Sequence, residues 1–249
     1  MKHAIIADIH ANLPALQTVL RDAEQQGCTH HACLGDIVGY YWQPKECVDI
    51  IRGMNIPCVQ GNHDLYCSTD EPLDGFNPDA AEAVCWTREQ LAEDDRQWLR
   101  NLPLVQVVDG FTIVHAVLDQ PARWGYVFDK PMAATSFAHQ TTPVCFFGHT
   151  HVPVAFVRDS VVRGGTFSKF KIESGKQYFI NVGSVGQPRD NNPRAAYVTY
   201  DVETQVIELR RLDCPPPEPP RGGFDSPPVR KPPLGPNSPL ISSQKKEAR

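Results

Sequence analysis

The chain has 249 residues, 41% of them hydrophobic, and a formal net charge of −5 at pH 7. This length allows one large domain or two small ones, with enough apolar residues for a sizeable core. The composition excludes a collagen, a coiled coil and a wholly disordered chain, and the acidic balance argues against stable, sequence-independent binding to nucleic acid.

Residues 1–213 are predicted to form one α/β domain, with alternating strands and helices first and mainly strands later. The first elements are a strand at 4–7, a helix from about Leu13 that Gly27 ends, a strand at 32–34, a helix around Val48 and Ile51 that Gly53 ends, a strand at 56–59, and a long helix from about 79 to 99 with Asp79 as N-cap. The later strands are at 105–108, 111–114, 144–147, 154–157, 178–182, 196–200 and 206–209, and Asp109-Gly110 forms a hairpin turn.

The last part of the chain, residues 214–249, has a different composition. It contains 11 prolines, six basic residues and three acidic residues. Such a segment buries too little apolar surface to fold alone, so we expect a disordered tail with local polyproline II structure. Residues 230–236 fit an RxxPxxP pattern that SH3-type grooves bind, although a solvated tail without a partner is the simpler interpretation.

The sequence contains no pattern typical of a membrane span or a signal peptide. No run of about 18 apolar residues occurs, and the apolar run at 4–7 is too short for a signal-peptide core. The eight cysteines are irregularly spaced and include no CxxC. We therefore expect reduced thiols and a cytoplasmic protein that does not bind membranes.

Polar side chains follow the predicted strands at the points where the strands end. They are Asp8, His10, Asp36, Asn62, His63, His115, His149 and His151. Because ligands of open α/β sheets bind at the carboxyl ends of the strands, we expect the fold to bring these residues to one rim. Residues i and i+2 of an extended segment point to the same side, so Asp8 and His10 can both face one ion, and so can His149 and His151 if Thr150 points away.

Seven of these side chains are candidate metal ligands: Asp8, His10, Asp36, Asn62, His115, His149 and His151. Imidazole and carboxylate groups without thiolates suit Mn, Fe, Zn, Co or Ni. One ion needs fewer ligands, whereas two ions about 3.5–4 Å apart, bridged by one carboxylate, use all seven. Such a pair polarises phosphoryl oxygens and activates water for in-line attack, so the sequence predicts a metal-dependent phosphoester hydrolase.

The His63-Asp64 pair follows Asn62 and is predicted to be catalytic. A free imidazole beside the metals can protonate the leaving oxygen, which is the role expected of His63. Asp64 is expected to orient the His63 ring. The other histidines, His3, His30, His31 and His139, lack such a context and are interpreted as structural or surface residues.

The motif order resembles the calcineurin-like metallophosphoesterase superfamily. The matching motifs are Asp8-Ile9-His10, Gly35-Asp36, Gly61-Asn62-His63-Asp64, His115 and Gly148-His149-Thr150-His151. Residues 10–16, 35–40 and 183–190 are similar to a small bacterial and archaeal branch of phosphodiesterase-like members. Ala11 stands where a glycine is common in the family, a departure that concerns the shape of the substrate site and removes no ligand.

The resemblance implies a four-layer α/β/β/α sandwich of two mixed β-sheets flanked by helices. It implies two divalent transition-metal ions, with manganese the first choice. One ion would be held by Asp8, His10, Asp36 and His151, and the other by Asp36, Asn62, His115 and His149. It further implies His63 as general acid, with Asn12 and Arg189 in contact with the substrate.

The expected reaction is hydrolysis of a small phosphodiester or nucleotide. A phosphomonoesterase, including a phosphoprotein phosphatase, is one alternative, although the G-D-x-V-D-R-G motif of protein phosphatases is absent at Gly35-Asp36. A symmetrical dinucleoside polyphosphate hydrolase and a non-catalytic scaffold are the others, and the complete ligand set argues against the scaffold. Aromatic residues at 40–42 and at 124, 126 and 128 can stack a nucleobase, but core or lid packing is the commoner role of such residues.

Overall fold

Eleven strands and six α-helices form the regular structure in the part of the chain that the computed structural model describes, residues 1–217 and 219. In chain order they are β1 (Lys2–Ile6), α1 (Leu13–Gln25), β2 (His30–Cys33), α2 (Pro44–Met54), α3 (Asn62–Ser68), α4 (Pro78–Gln90), α5 (Glu93–Arg100), β3 (Val105–Val108), β4 (Phe111–Val114), α6 (Lys130–His139), β5 (Val144–Phe147), β6 (Val154–Arg158), β7 (Val162–Gly165), β8 (Lys169–Lys171), β9 (Gln177–Asn181), β10 (Ala195–Asp201) and β11 (Val206–Leu212). No helix in these residues is long and apolar enough to cross a membrane.

The strands form two mixed sheets. The first has the order β2-β1-β10-β11-β8, and the second has the order β3-β4-β5-β9-β6-β7. In the first sheet β1 is parallel to β2 and antiparallel to β10. In the second sheet β5 is parallel to both β4 and β9. Parallel neighbours end at the same edge of a sheet, so the loops after β1 and β2, and those after β4 and β5, lie side by side.

Alternation along the strands divides the core into layers. In β1, Ala4 and Ile6 pack in the same cluster as Leu16 of α1, on the helix side of the first sheet. Ile5 faces the other way and packs with Phe146 of β5, between the two sheets. This period-2 burial of both faces is what a central strand between two layers requires.

The second sheet is also covered on its outer face. Phe147 of β5 and Phe179 of β9 stack with their ring centroids 4.1 Å apart, and Phe137 of α6 packs in the same cluster. Helices therefore lie outside both sheets, and the sheets pack face to face. The predicted four-layer α/β/β/α sandwich of two mixed sheets is confirmed.

The hairpin between β3 and β4 has the predicted bounds and turn. Asp109 and Gly110 have φ angles of 43° and 86°. Two consecutive positive φ angles define the type I′ turn, which matches the twist of the strands on either side. Asp109 tolerates this conformation and glycine adopts it without strain.

The predicted helix at 79–99 is wrong in its continuity, because two helices, α4 and α5, occupy that region. Leu91 leaves the helical conformation, with φ −96° and ψ 129°, and its side chain is buried in the helix-side core together with Leu99. The predicted N-cap is also wrong: Oδ1 of Asn77, and not the Asp79 side chain, accepts the hydrogen bond, from the backbone N of Asp79 at 2.9 Å.

Two other predicted elements are wrong, and the ends of several strands are shifted by one to three residues. Residues 56–59 form a single parallel bridge between Cys33 and Cys58 and no strand, since Pro57 has no N–H to donate to a ladder. Helix α2 continues through Gly53 to Met54, and Asn55 supplies the left-handed cap with φ 49°. Helices α3 and α6 and strands β7 and β8 had no counterpart in the sequence prediction. The predicted disordered tail lies outside the described residues apart from 214–217 and 219, and the RxxPxxP pattern lies wholly outside them.

Candidate metal centre

Six of the seven predicted ligands come from loops at the carboxyl ends of four strands, the seventh begins a helix, and the structure brings all seven together. Asp8 and His10 follow β1, Asp36 follows β2, His115 follows β4, and the loop after β5 carries His149 and His151. Asn62 is the first residue of α3. Two groups of converging side chains result, each with ligand atoms within 4.8 Å of one another.

The first group contains Asp8, His10, Asp36 and His151, all buried. Nε2 of His10 lies 3.1 Å from Nε2 of His151. Oδ2 of Asp36 is 3.6 Å from the same His10 nitrogen, and Oδ1 of Asp8 is 3.4 Å from Nε2 of His151. The four donor atoms thus face a common point.

The second group contains Asp36, His115 and His149, with Asn62 beside it. Nε2 of His115 lies 3.2 Å from Nδ1 of His149 and 3.2 Å from Oδ1 of Asn62. Oδ2 of Asp36, the atom that also faces His10, is 3.4 Å from Nε2 of His115. One carboxylate oxygen is therefore shared by both groups.

Backbone carbonyls fix the protonation of the four imidazoles. Each ring places one nitrogen against a carbonyl oxygen: Nδ1 of His10 against Val38 (3.1 Å), Nδ1 of His115 against Leu34 (2.8 Å), Nδ1 of His151 against Gln187 (2.6 Å), and Nε2 of His149 against Trp124 (2.9 Å). A carbonyl oxygen only accepts, so the nitrogen that contacts it carries the proton. The lone pair of the other nitrogen, in each neutral ring, points into the centre.

This arrangement fits divalent cations. Two imidazole lone pairs that face each other at 3.1 Å, as in His10 and His151, repel unless a cation or proton lies between them. Ligand atoms about 3 Å apart are also what neighbouring donors adopt around an ion with bonds of about 2.1 Å. Nitrogen and carboxylate donors without sulfur suit Mn, Fe, Co, Ni or Zn. The residues of both groups therefore match the predicted metal chemistry.

In the protein alone, a proton on His115 balances part of the negative charge of Asp36. Burial by itself would lower the pKa of His115, but the adjacent Asp36 carboxylate outweighs it and raises that pKa to about 10. Burial opposes ionisation of Asp36, yet His115 and the neighbouring imidazoles hold the pKa of Asp36 well below its usual value. The pKa of His149 is lowered by burial and by the nearby His115. A bound metal must displace the His115 proton.

Most of the ligands lie in left-handed backbone. Five of the seven have positive φ: Asp8 (53°), His10 (51°), Asp36 (51°), His149 (66°) and His151 (59°). The predicted extended backbone is therefore wrong for both pairs. Asp8 and His10 still face one group, as predicted, whereas His149 and His151 lie in different groups. The side chains converge because each loop turns sharply as it leaves its strand. Strained backbone of this kind is concentrated at functional sites.

Two glycines allow the loops to approach the carboxylates. A Cβ on Gly61 would lie 2.1 Å from Oδ1 of Asp36, and a Cβ on Gly148 would lie 2.6 Å from Oδ2 of Asp8. No other residue fits these positions without displacing a predicted ligand. The glycines that precede Asn62 and His149 are thus required by the packing of the centre.

Asp64 has a different function from the predicted one. Its Oδ1 accepts from the backbone N of Ile37 at 2.8 Å, and its Oδ2 accepts from the backbone N of Asp36 at 2.8 Å and of Gly61 at 3.0 Å. The prediction that Asp64 orients the His63 ring is wrong, because both oxygens bind backbone groups. Burial and the nearby Asp36 charge raise the pKa of Asp64 to about 7, against the effect of these hydrogen bonds. Asp64 joins the loops that carry Asp36 and Asn62.

His63 lies next to the first group of ligands. Its ring centroid is 4.8 Å from that of His10 and 4.7 Å from that of Tyr40. Its Nδ1 is buried and has no hydrogen-bond partner within the described residues, and its backbone N donates to Oδ1 of Asp36 at 2.8 Å. Burial lowers the pKa of His63 to about 4. The imidazole is neutral at pH 7 in this state, and the role of general acid stays a prediction.

The two predicted substrate-binding residues occupy different settings. Asn12 caps α1: its Oδ1 accepts from the backbone N of Ala15 at 3.2 Å, and its Nδ2 donates to the carbonyl of Gly186 at 3.0 Å. The guanidinium of Arg189 lies 5.8 Å from the centre of the Tyr40 ring and donates to Oε1 of Gln187 at 2.6 Å. Arg189 is therefore close to His63 through Tyr40, whereas the amide of Asn12 is engaged within the protein.

The sequence did not reveal several residues that hold the centre together. Carbonyls of Leu34, Val38, Trp124 and Gln187 fix the histidine rings, and a backbone carbonyl has no side-chain signal in a sequence. Asn181 could have been found, because it ends β9 as the ligands end their strands. Its Nδ2 donates to Oγ1 of Thr150 at 3.0 Å and to the carbonyl of Gly148, which steadies the loop of His149 and His151.

Comparison with known proteins places the chain in a family. The profile described as "Calcineurin-like phosphoesterase superfamily domain" matches residues 1–205. The chain therefore belongs to the calcineurin-like phosphoesterase superfamily, as its motifs indicated. An uncharacterized protein of Methanocaldococcus jannaschii is 36% identical over 216 residues, which cover 84% of this chain and 86% of that protein.

Solved structures agree with this assignment. A metallophosphoesterase from Sphaerobacter thermophilus is 38% identical and superposes with a TM-score of 0.74, covering 86% of this chain and 89% of that one. A hypothetical protein from Pyrococcus horikoshii, 18% identical, shares the fold with a TM-score of 0.68 over 86% of this chain and 88% of its own. Family and clustered ligands together indicate a phosphoesterase hydrolase that binds divalent metal.

Proposed function

We propose that the chain is a phosphodiesterase with two metal ions, which hydrolyses a small phosphodiester such as that of a nucleotide. The observation that carries the proposal is the position of Asp36 Oδ2, 3.6 Å from His10 and 3.4 Å from His115. An oxygen that faces both groups of ligands is suited to bridge two ions. Asp8, His10 and His151 would complete one site, and Asn62, His115 and His149 the other.

The bound ions would supply electrophilic stabilisation of the phosphoryl oxygens and a water molecule of lowered pKa. The protein's own contribution is to hold the ligands in place before the substrate arrives. Four imidazole rings are fixed by carbonyls, and the Asp36 loop is fixed by Asp64. Little reorganisation is then needed when the phosphate binds, which is a main source of catalytic power in such sites.

His63 is the proposed source of the proton for the leaving oxygen. Its Nδ1 is buried against Gly39, where a Cβ would lie only 2.5 Å away, so Nε2 is the nitrogen available to a substrate. The pKa of about 4 describes the ring without substrate. A phosphate brings negative charge and favours the imidazolium, so substrate binding is expected to protonate His63.

Arg189 is the proposed contact for a phosphate oxygen. Its guanidinium packs on Tyr40, whose ring lies against both His10 and His63. A planar guanidinium suits phosphate because it can donate two parallel hydrogen bonds. The stacking on Tyr40 restricts the side chain to the side of the centre where His63 lies.

A metal-reconstituted assay tests the proposal. The full chain is stripped with a chelator, loaded with Mn²⁺, and assayed with bis-p-nitrophenyl phosphate, p-nitrophenyl phosphate, a cyclic nucleotide and a dinucleoside tetraphosphate. The proposal predicts kcat/KM at least tenfold higher for the diester than for the monoester, and loss of activity in Asp36→Asn. Asp49→Asn, an exposed carboxylate on α2, serves as the control that retains activity.

Other outcomes of the same assay separate the alternatives. A preference for the monoester would replace the proposal with a phosphatase. A preference for the tetraphosphate would indicate a dinucleoside polyphosphate hydrolase. Metal binding without turnover of any of these substrates would favour a scaffold and would contradict an esterase function for this centre.

A further inference from the structure

Tyr126 and Phe128 form an exposed aromatic shelf beside the metal centre. Their rings are stacked, with centroids 5.5 Å apart and planes only 5° from parallel. Tyr126 is 49% exposed and Phe128 is 57% exposed. Within residues 1–217 they are the only Phe, Tyr or Trp side chains in the exposed class. The commoner role of aromatic residues, core packing, therefore does not account for these two.

The shelf is continuous with the candidate metal ligands. The Tyr126 ring stacks on the imidazole of His149, with centroids 4.2 Å apart and planes 28° from parallel. Two residues earlier, the carbonyl of Trp124 accepts the 2.9 Å hydrogen bond that fixes the same imidazole. A flat group stacked on the shelf would thus lie on the same aromatic surface as the imidazole of a predicted metal ligand.

The loop that carries the shelf is anchored by a side chain buried in the protein core. Val127 is buried in the core of the second sheet and its helix, whereas its two neighbours point outward. Alternate residues of an extended segment share one side, so burying Val127 presents Tyr126 and Phe128 together. Two apolar rings are kept in contact with water, an arrangement typical of a binding surface.

Phe128 also borders a groove of suitable size. The groove has a volume of about 470 Å³, and its lining includes Phe128, Lys130, Thr150 and Pro153. Small-molecule sites commonly measure about 300–1,000 Å³. Thr150 lies between His149 and His151 in sequence, which connects the groove to the loop of the metal centre.

We propose that the Tyr126–Phe128 shelf stacks the nucleobase of a nucleotide substrate whose phosphate lies at the metal centre. The proposal rests on the proposed function and names its substrate class. A nucleobase is flat and stacks on an aromatic side chain with an affinity that depends little on which base it is. Phe128 is then a specificity-determining residue, and the sugar and phosphate extend from the shelf toward His149.

Binding of two matched ligands tests the proposal. AMP and ribose 5-phosphate share the phosphate and the sugar and differ only in the base. Their affinities for the full, manganese-loaded chain are measured by titration calorimetry. We expect AMP to bind the wild type at least tenfold more tightly than ribose 5-phosphate, and Phe128→Ala to reduce that ratio to threefold or less.

Two further variants make the result specific. Phe128→Leu keeps apolar bulk without a flat ring and is expected to lower the ratio to an intermediate value, whereas a merely structural Phe128 predicts the wild-type ratio. Val107→Ala, at an exposed apolar residue of β3, is expected to keep the wild-type ratio. Equal affinity of the wild type for both ligands, or an unchanged ratio in Phe128→Ala, would overturn the proposal.

The readout is binding, so it does not depend on turnover. If the wild type hydrolyses no diester yet binds AMP through Phe128, the proposed phosphodiesterase function is wrong and base stacking on the shelf is supported. If the diester is hydrolysed but AMP and ribose 5-phosphate bind equally well, base stacking on the shelf is wrong and the phosphodiesterase function is supported.

Discussion

The backbone N–H of Asp36 donates a 2.8 Å hydrogen bond to Oδ2 of Asp64, so a second buried carboxylate holds the loop that carries the proposed shared ligand. The same Oδ2 accepts from Gly61, which precedes Asn62. One side chain thereby sets the separation of two loops that each supply a predicted ligand. The short GNHD sequence therefore contains a predicted ligand, a candidate acid and the support of another predicted ligand.

Replacing Asp64 tests this support. Asp64→Asn turns one acceptor oxygen into a donor that faces a backbone N–H, and removes charge-assisted hydrogen bonds. We expect the free energy of unfolding to fall by about 3 kcal/mol, because a buried backbone N–H loses its acceptor. Urea unfolding followed by circular dichroism measures it, with the exposed Asp49→Asn expected to change stability by less than about 0.5 kcal/mol. A variant as stable as the wild type would refute the supporting role.

Two glycine substitutions should have opposite effects. In Gly61→Ala the new methyl group would lie 2.1 Å from Oδ1 of Asp36, so we expect reduced manganese content and a lower Tm. Gly53 lies within α2 with no atom near its would-be Cβ, and Gly53→Ala should raise stability by about 0.5–1 kcal/mol. Differential scanning calorimetry and elemental analysis compare the pair. Normal metal content in Gly61→Ala would show that the loop can move away from Asp36.

The role of His63 can be separated from metal binding. We expect His63→Ala to retain the wild-type metal content and to lose about 10²–10⁴-fold in kcat on an alkyl phosphodiester, whose leaving oxygen needs a proton. The loss should be much smaller for a p-nitrophenyl ester, because p-nitrophenolate leaves without protonation. His139→Ala, at the exposed end of α6, is the matched control. Equal losses on both substrates would exclude a general acid.

An ion pair between α1 and the first sheet predicts acid sensitivity. Burial alone would raise the pKa of Asp22, but hydrogen bonds from Arg210 and Tyr197 outweigh it and lower that pKa below 3.8. The stabilisation is therefore present above pH 3.8 and is lost as pH falls through the lower, folded-state value. Asp22→Asn should destabilise the protein by about 1.5–3 kcal/mol at pH 7 and by less near pH 3. Unfolding at both pH values tests this, with the exposed Glu24→Gln as control; an equal loss at pH 7 and pH 3 would contradict it.

The clustered side chains of the site could be predicted from the sequence better than the backbone conformation and hydrogen bonds that hold them. Clustered residues such as Asp36 and His149 could be predicted because a polar residue after a buried strand is a visible pattern. Their left-handed backbone was not predicted. A glycine in a sequence can indicate a positive φ, whereas Asp and His usually adopt negative φ and give no such signal. The error on Asp64 has the same origin, because its partners are backbone N–H groups, which every residue offers.

The fold shows a similar division. Strands β3, β4 and β5 had the predicted bounds because their apolar runs are short and bounded by turns or polar residues. The break at Leu91 was missed, since leucine favours helices and only tertiary burial draws it into extended backbone. Pro57 was overlooked within the predicted strand at 56–59, where its missing N–H limits pairing to a single bridge.

The most direct test of the central claim is the metal stoichiometry of Asp36→Asn. Wild type, Asp36→Asn and Asp49→Asn are dialysed against the same concentration of free Mn²⁺, and bound metal is measured by elemental analysis after circular dichroism has shown that each is folded. If Asp36 bridges two ions, the wild type and Asp49→Asn bind two ions per chain, and Asp36→Asn loses occupancy at both sites together. If Asp36→Asn keeps one ion at the wild-type affinity, or if the wild type binds only one, the shared-ligand account is wrong.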